Sequence, residues 1–319
     1  LDEIQLHSRP SNFLKFLYDE HKASIKLFVS GSANLDIKAK LQDSLVGRKK
    51  SFNLAPFNFH EFLQAKKFKP DVNPVSRQKY LRLLLEEYLL YGGLPKVVLE
   101  NDPEMKRELL NEYTSTYINK DIRHMIAENN VITFNNLLIF LAKSMGSLKN
   151  NAAISRELGL NHITLSRYLD LLRYTFVIDF LRPYFTNEIT RLKKSEKVYF
   201  FDNGVRNSLL SNFADTSRRG DVGALFENAI LLHLKQKYLP ESVFFLRTVS
   251  NNEIDFVCKT QTGSIDLYEA KYSAFKRPQM TKGFKELVKT LSFDKACIIN
   301  KNLNTEGAVR FIPFDKFAG

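Results

Sequence analysis

Glu253-Ile254-Asp255-Phe256-Val257-Cys258-Lys259, followed closely by Ile265-Asp266-Leu267-Tyr268-Glu269-Ala270-Lys271, is the stretch on which the fold turns. Both runs are short and rich in β-branched and aromatic residues, so they read as strands. Residues 243–249 read as a third strand just before them. Strand residues two apart share a face, so Glu269 and Lys271 point the same way. If the two runs pair as a hairpin, Asp255 can meet them. Two carboxylates and a backbone carbonyl can hold Mg²⁺, and a lysine beside them can orient or deprotonate water. That is equipment for metal-assisted phosphodiester hydrolysis, with Asp255 and Glu269 as the metal ligands. The competing reading is surface charge on two edge strands.

Working outward, residues 223–238 read as a helix, 278–291 as another, and 197–201, 296–299 and 309–312 as further strands. Glu227 falls on the same helical face as Ile230, Leu231 and Leu234. A carboxylate on an apolar stripe is costly unless it is paired or binds metal. Glu227 is therefore expected to reach the Asp255 site; the competing readings are a residue at the stripe's edge or one paired with Arg247.

Upstream the rhythm changes. Residues 135–144 and 152–158 read as helices, the second stopped by Gly159, and Asn161 caps a third running to 174. Residues 177–181 and 184–185 can form a ribbon. Helix, short helix, glycine turn, helix and ribbon is the layout of a winged helix-turn-helix. Leu165, Leu169 and Leu172 form the buried stripe of the third helix, leaving His162, Ser166 and Arg167 to face DNA. Residues 135–197 hold 10 Lys and Arg against 5 Asp and Glu. Arg191, Lys193 and Lys194 follow the ribbon and can contact phosphates. Docking of a partner protein is the alternative use of such a module. Residues 77–90 and 104–126 read as helices, interrupted by Tyr91-Gly92-Gly93-Leu94-Pro95.

Leu1-Asp2-Glu3-Ile4-Gln5 reads as a strand end whose carboxylates hold Mg²⁺ and activate water. After a short helix at 13–18, Ile25-Lys26-Leu27-Phe28-Val29 leads into Ser30-Gly31-Ser32. An acidic strand end, a helix and a strand ending in a small polar sensor is the order expected in a P-loop ATPase. A further helix is expected at 41–48 and a strand at 52–54. The phosphate cradle G-x-x-x-x-G-K-[ST] occurs nowhere in the 319 residues. An exposed sheet edge is expected at 1–65, tight ATP binding is not, and the chain is expected to be a truncated product.

The net charge of +12 favours a polyanionic partner, nucleic acid before membrane. No run is long enough to span a bilayer and no signal peptide is apparent. Cys258 and Cys297, the two cysteines, lie in apolar runs and read as buried thiols of a reducing, cytoplasmic compartment. The six histidines show no metal-ligand spacing.

In order along the chain, several blocks resemble one family. They are Leu1-Asp2-Glu3-Ile4-Gln5, Phe28-Val29-Ser30-Gly31-Ser32, Leu45-Val46-Gly47-Arg48 and Leu54-Ala55-Pro56-Phe57-Asn58-Phe59-His60-Glu61-Phe62. Tyr91-Gly92-Gly93-Leu94-Pro95, Lys197-Val198-Tyr199-Phe200-Phe201-Asp202-Asn203-Gly204, Phe226-Glu227-Asn228, Asn252-Glu253-Ile254-Asp255-Phe256 and Glu269-Ala270-Lys271 continue the series. The chain resembles the prokaryotic AAA-type ATPases that carry a C-terminal domain of unknown function related to restriction endonucleases. The resemblance implies an α/β multidomain protein. It would hold a partial P-loop AAA-type core (1–65), a helical lid (66–134), a winged helix-turn-helix (135–190) and an α+β restriction-endonuclease-like domain (191–319). It implies Asp2 as the Mg²⁺-holding acid, Glu3 as the water-activating acid and Ser30 or Ser32 as the sensor. It also implies Glu227, Asp255, Glu269 and Lys271 as the nuclease-like site. The expected function is that of an ATPase-derived enzyme acting on DNA. The alternative is a non-catalytic binding module for nucleic acid, a protein partner or a second copy of the chain.

Overall fold

The computed structural model describes residues 1–2, 4, 7–31, 45, 47–50, 52–68, 73–116, 130–185 and 195–318. A mixed α/β architecture is built on one seven-stranded sheet. Its strands are β1 (Ile178–Pro183), β2 (Lys197–Phe200), β3 (Val243–Arg247), β4 (Glu253–Lys259), β5 (Ile265–Ala270), β6 (Lys295–Asn300) and β7 (Arg310–Pro313). They lie side by side in the order β2-β1-β3-β4-β5-β6-β7. The β1/β2, β3/β4 and β4/β5 pairs are antiparallel, whereas β1/β3, β5/β6 and β6/β7 are parallel.

The expected ribbon within 177–185 gives way to a straight β1. Its antiparallel partner is β2, and Arg182 and Pro183 pair with Phe244 and Phe245 of β3. The β1/β2 ribbon is thus joined to the edge of the sheet that carries β4 and β5.

The N-terminal segment is different. Helix α1 (Pro10–His21) forms, with proline in its first turn. The main chain of Leu1 and Ile4 bonds that of Phe28 and Ser30, through Leu1 N to Phe28 O at 2.9 Å, Ser30 N to Leu1 O at 2.9 Å and Ile4 N to Ser30 O at 3.2 Å. The strands expected at 1–5, 25–29 and 52–54 do not form as regular strands among the described residues. Phe52 and Leu54 are 74% and 99% exposed, so no core holds an additional strand there. Ile4, Leu14 and Leu45 make a small separate cluster with Phe13 against it. Glu3, Gln5, Ser32 and most of the helix expected at 41–48 lie outside the described residues.

Helix α2 (Phe59–Ala65) opens with a reciprocal capping box between Asn58 and Glu61. It is followed by α3 (Pro74–Tyr91), α4 (Pro95–Leu99) and α5 (Pro103–Tyr113). Then come α6 (Val131–Lys143), α7 (Asn151–Leu158) and α8 (His162–Tyr174). Asn161 caps α8 by accepting from Thr164 N–H, and Gly159 ends α7 at φ 64°. Helix α9 (Asn203–Leu209) follows β2, and α10 (Val222–Lys237) precedes β3. Helix α11 (Lys282–Thr290) lies between β5 and β6, and α12 (Phe314–Phe317) follows β7.

Strand alternation sorts the core into two. Phe256, Cys258, Tyr268, Cys297 and Ile299 join the large cluster shared with α2, α3, α6, α8 and α10. Val257, Ile265, Leu267, Ala296 and Ile298 pack with Phe284 and Leu287 of α11. Both cysteines are buried free thiols. No helix among the described residues is long and apolar enough to cross a membrane.

One junction ties distant segments together. Asp202 is buried and accepts from the N–H groups of Gly93 (2.7 Å) and Val205 (3.0 Å). Gly92 has φ 76°, and a Cβ there would lie 2.1 Å from Asp202 Oδ1. A Cβ on Gly93 would lie 2.2 Å from Phe57 O, and one on Gly204 2.1 Å from Tyr91 O. Three glycines therefore let three stretches of main chain touch. The break read at Tyr91-Gly92-Gly93-Leu94-Pro95 is a docking turn.

Candidate active site

The β4/β5 ladder pairs Phe256 with Tyr268, and continuing its register sets Asp255 opposite Glu269. There each carboxylate takes a main-chain N–H. Ala270 N–H donates to Asp255 Oδ2 at 2.8 Å, and Asp255 N–H to Glu269 Oε2 at 3.4 Å. Lys271, fixed by its N–H to Ile299 O at 2.9 Å, brings Nζ to 2.7 Å from Glu269 Oε1. These three residues meet as the sequence pattern anticipates.

Glu227, on α10, faces the same region but is held by others. Its Oε1 accepts from Lys197 Nζ at 3.1 Å and from the Tyr199 hydroxyl. Lys197 Nζ also meets Glu253 Oε1 at 2.5 Å. The alternative pairing of Glu227 with Arg247 is replaced, because Arg247 Nη1 lies 3.6 Å from Glu253. Sequence reasoning missed Lys197, Tyr199 and Glu253. Lys197 and Tyr199 stand two apart on β2, a spacing that puts both on one face, but their partner lies thirty residues away.

Electrostatics bind the cluster together. Burial, then the charges of Glu269 and Glu227, hold the Asp255 carboxyl well above the usual carboxylate range, against the pull of Lys197 and Lys271. Burial also raises Glu269, and the adjacent Lys271 only partly offsets it. Burial by itself would lower Lys271, but Glu269 and Asp255 outweigh it and keep it above its ordinary value. Lys197 follows the same logic, raised by Glu227, Glu253 and Asp255 in spite of burial. The site thus gathers four carboxylates, Glu227, Glu253, Asp255 and Glu269, around two lysines, with Arg247 beside Glu253.

Among the described residues, no three His, Cys, Asp or Glu side chains are grouped so that they could hold a metal ion. Asp255 and Glu269 stand side by side as a pair. A hydrated Mg²⁺, which commonly takes one or two carboxylates and keeps several waters, fits such a pair.

The other predicted residues lie elsewhere. His162, Ser166 and Arg167 are exposed on one face of α8, with Leu165, Leu169 and Leu172 buried behind them. The three exposed residues line an open groove of about 750 Å³ together with Ile163, Asp170 and Tyr174. Arg191, Lys193 and Lys194 lie outside the described residues. At the N-terminus, the Ser30 hydroxyl donates to Asp2 Oδ1, both residues being exposed.

Comparison with known proteins divides the chain in three. Residues 1–63 match the family described as an AAA domain, 82–216 a domain of unknown function (DUF8612), and 222–317 another (DUF4143). These matches support an AAA-type ATPase-like family. Glu227, Asp255, Glu269 and Lys271 fall in the third match, whereas Lys197 and Tyr199 fall in the second. An uncharacterized protein of Methanocaldococcus jannaschii is 26% identical over 99% of this chain and 70% of its own length. An uncharacterized protein of Haemophilus influenzae is 27% identical over 81% of this chain and 62% of its own. One of Mycobacterium tuberculosis is 26% identical over 80% of this chain and 54% of its own. The chain therefore spans between about half and 70% of these relatives. No solved structure matches it.

Proposed function

We propose that the C-terminal half is a restriction-endonuclease-like domain that cleaves phosphodiester bonds in DNA. In this reading it works beside a winged-helix module in an AAA-type ATPase-derived protein. The observation that carries it is the pairing of Asp255 with Glu269, with Lys271 Nζ 2.7 Å from Glu269. Asp255 and Glu269 would hold Mg²⁺ with a main-chain carbonyl. When bound, the ion supplies charge neutralisation at the phosphoryl oxygen and a more acidic water.

Lys271 is held above its ordinary pKa, so it stays an ammonium at neutral pH. It therefore acts by donating to a phosphate oxygen or the attacking water, not by deprotonating it. Glu227 and Tyr199 anchor Lys197, whose charge limits the repulsion among the carboxylates. At the other end, Asp2 and Ser30 are assigned as the acid and sensor of an AAA-type core. With no phosphate cradle in the sequence, tight ATP binding by this chain is not expected; ATP affinity that disappears in Asp2→Ala would overturn that.

The test is cleavage of DNA and RNA with Mg²⁺ or Mn²⁺ by wild type, Lys271→Ala and Asp255→Asn. Both substitutions are expected to reduce the rate by about 100-fold or more. Cleavage that survives Lys271→Ala sinks the assignment. No cleavage by the wild type on any substrate favours a binding module. One observation favours that second reading: Ile163, 81% exposed, and Tyr174 give the outward face of α8 an apolar character beside Asp170.

A further inference from the structure

The chain that leaves the site at Lys271 is strongly basic. Residues 271–290 carry six cations, Lys271, Lys276, Arg277, Lys282, Lys285 and Lys289, against one acid, Glu286. The five beyond Lys271 are all exposed, and none has a carboxylate within 4.0 Å among the described residues. Glu286 is already engaged, accepting from Asn252 Nδ2 at 2.8 Å.

The stretch 271–283 is fixed beside the carboxylate site at both ends. At one end is Lys271 itself. Just beyond it, Asn302 holds Phe275 through Phe275 N–H to Asn302 Oδ1 (2.8 Å) and Asn302 Nδ2 to Phe275 O (3.1 Å). At the other end, α11 returns against the turn before β4, so closely that a Cβ on Gly283 would lie 2.9 Å from Asn252 Oδ1. Asn252 is one residue from Glu253 and three from Asp255. Lys276, Arg277 and Lys282 therefore line a rim between two anchors that both border the site, and Lys285 and Lys289 extend it along α11. Lys282, Lys285 and Lys289 repeat at helical spacing along α11, which gives the rim a straight basic edge.

We propose that this rim is the phosphate-contacting surface for the substrate of the Asp255–Glu269 site, and that the substrate is duplex DNA. The proposal rests on the nuclease reading for the site's chemistry but not for the surface's binding. Cations without acid partners match a regularly spaced phosphate backbone. Single-strand binders add aromatic platforms for unstacked bases. Here Phe275 packs on Phe311 and Tyr272 lies under Lys301, so the rim's aromatic rings are already engaged.

The test is equilibrium binding of the full chain to a short DNA duplex in EDTA, across a salt series, where no cleavage can occur. The variant is the combined Lys276→Gln, Arg277→Gln, Lys282→Gln and Lys285→Gln. Its control removes equal charge at exposed positions elsewhere on the chain: Lys22→Gln, Lys79→Gln, Arg82→Gln and Lys96→Gln. The rim variant is expected to lower the log–log salt slope by about 0.9 for each phosphate it no longer neutralises, and the control to leave it near wild type. An unchanged slope in the rim variant, or an equal fall in both variants, overturns the surface. Preference for single strands over duplex overturns the substrate class. A slope change with no cleavage by the wild type would leave the surface standing and remove the nuclease reading. Cleavage with an unchanged slope would do the reverse.

Discussion

Asp2, at a strand end, and Asp255, within a strand, both read from sequence as metal-holding acids, yet the molecule treats them oppositely. Asp2 is exposed and bonded to the Ser30 hydroxyl, beside a cluster that among the described residues holds three buried apolar side chains. Asp255 is the third residue of the laddered strand β4, between two packed faces, with Glu269 opposite and two lysines near. The first carboxylate stays at an exposed position. The second is desolvated among like charges, which is how a protein perturbs an acid for use. A motif supplies residue types, whereas a sheet packed on both faces supplies the surroundings that make them reactive.

The sharpest way to break this contrast is Lys197→Met, which keeps the apolar stem and deletes the charge. Lys197 is nearly fully buried between Glu227 and Glu253. Removing one partner of a buried ion pair strands the other, at about 3–5 kcal/mol. A loss below about 1 kcal/mol by denaturant unfolding would show that the site is solvated and that the contrast with Asp2 is false.

Gly92→Ala tests the junction that joins the helices to the sheet. At φ 76° and ψ −162° the Gly92 backbone lies in a region essentially reserved for glycine, which costs an alanine about 1–3 kcal/mol, and overpacking against Asp202 adds about 1–3 kcal/mol. The expected destabilisation is about 3 kcal/mol. A shift in midpoint equivalent to less than about 1 kcal/mol would mean that the turn opens without consequence.

Asp202 offers a test in pH. Burial pushes its carboxyl up to about 6, against the main-chain donors that favour ionisation. Because its folded pKa is raised above the unfolded value, its contribution is full below about pH 4 and is lost as pH rises through about 6. The difference is worth about 3 kcal/mol for a shift of some two units. Asp202→Asn carries no such titration, so its stability should gain on the wild type by about that much between pH 4 and 7. A constant difference across that range would show that Gly93, Val205 and their neighbours hold the carboxylate near its ordinary value.

Local pattern made much of the C-terminal half legible. Strand β4 runs from Glu253 to Lys259 as the sequence alone indicates, and Asp255, Glu269 and Lys271 meet because side-chain alternation and hairpin pairing are short-range rules. Asn161 and Gly159 mark the ends of their helices for equally local reasons. What stayed hidden was non-local. The parallel pairing of Arg182 with Phe244 joins the ribbon to the sheet across some sixty residues. The bond from Lys197 to Glu227 depends on that same juxtaposition. In the N-terminal segment, Ile25 to Val29 has strand composition and its end bonds the main chain of Leu1 and Ile4, but it is not laddered into the seven-stranded sheet.

The smallest effect is expected from Ser30→Ala. It deletes the hydroxyl that donates to Asp2 and leaves the main-chain bonds among Leu1, Ile4, Phe28 and Ser30 intact. A single hydrogen bond contributes about 0.5–1.5 kcal/mol net, and an exposed one falls at the low end because water replaces the missing partner. Stability should therefore change by less than about 0.5 kcal/mol, in the same assay that reports the loss for Lys197→Met. A loss several times larger would mean that the Asp2–Ser30 contact is cooperatively coupled to the main core. Asp2 and Asp255 would then differ in partners and not in degree of burial, and the exposure of Phe52 and Leu54 would have to be explained by something other than a loosely packed N-terminal segment.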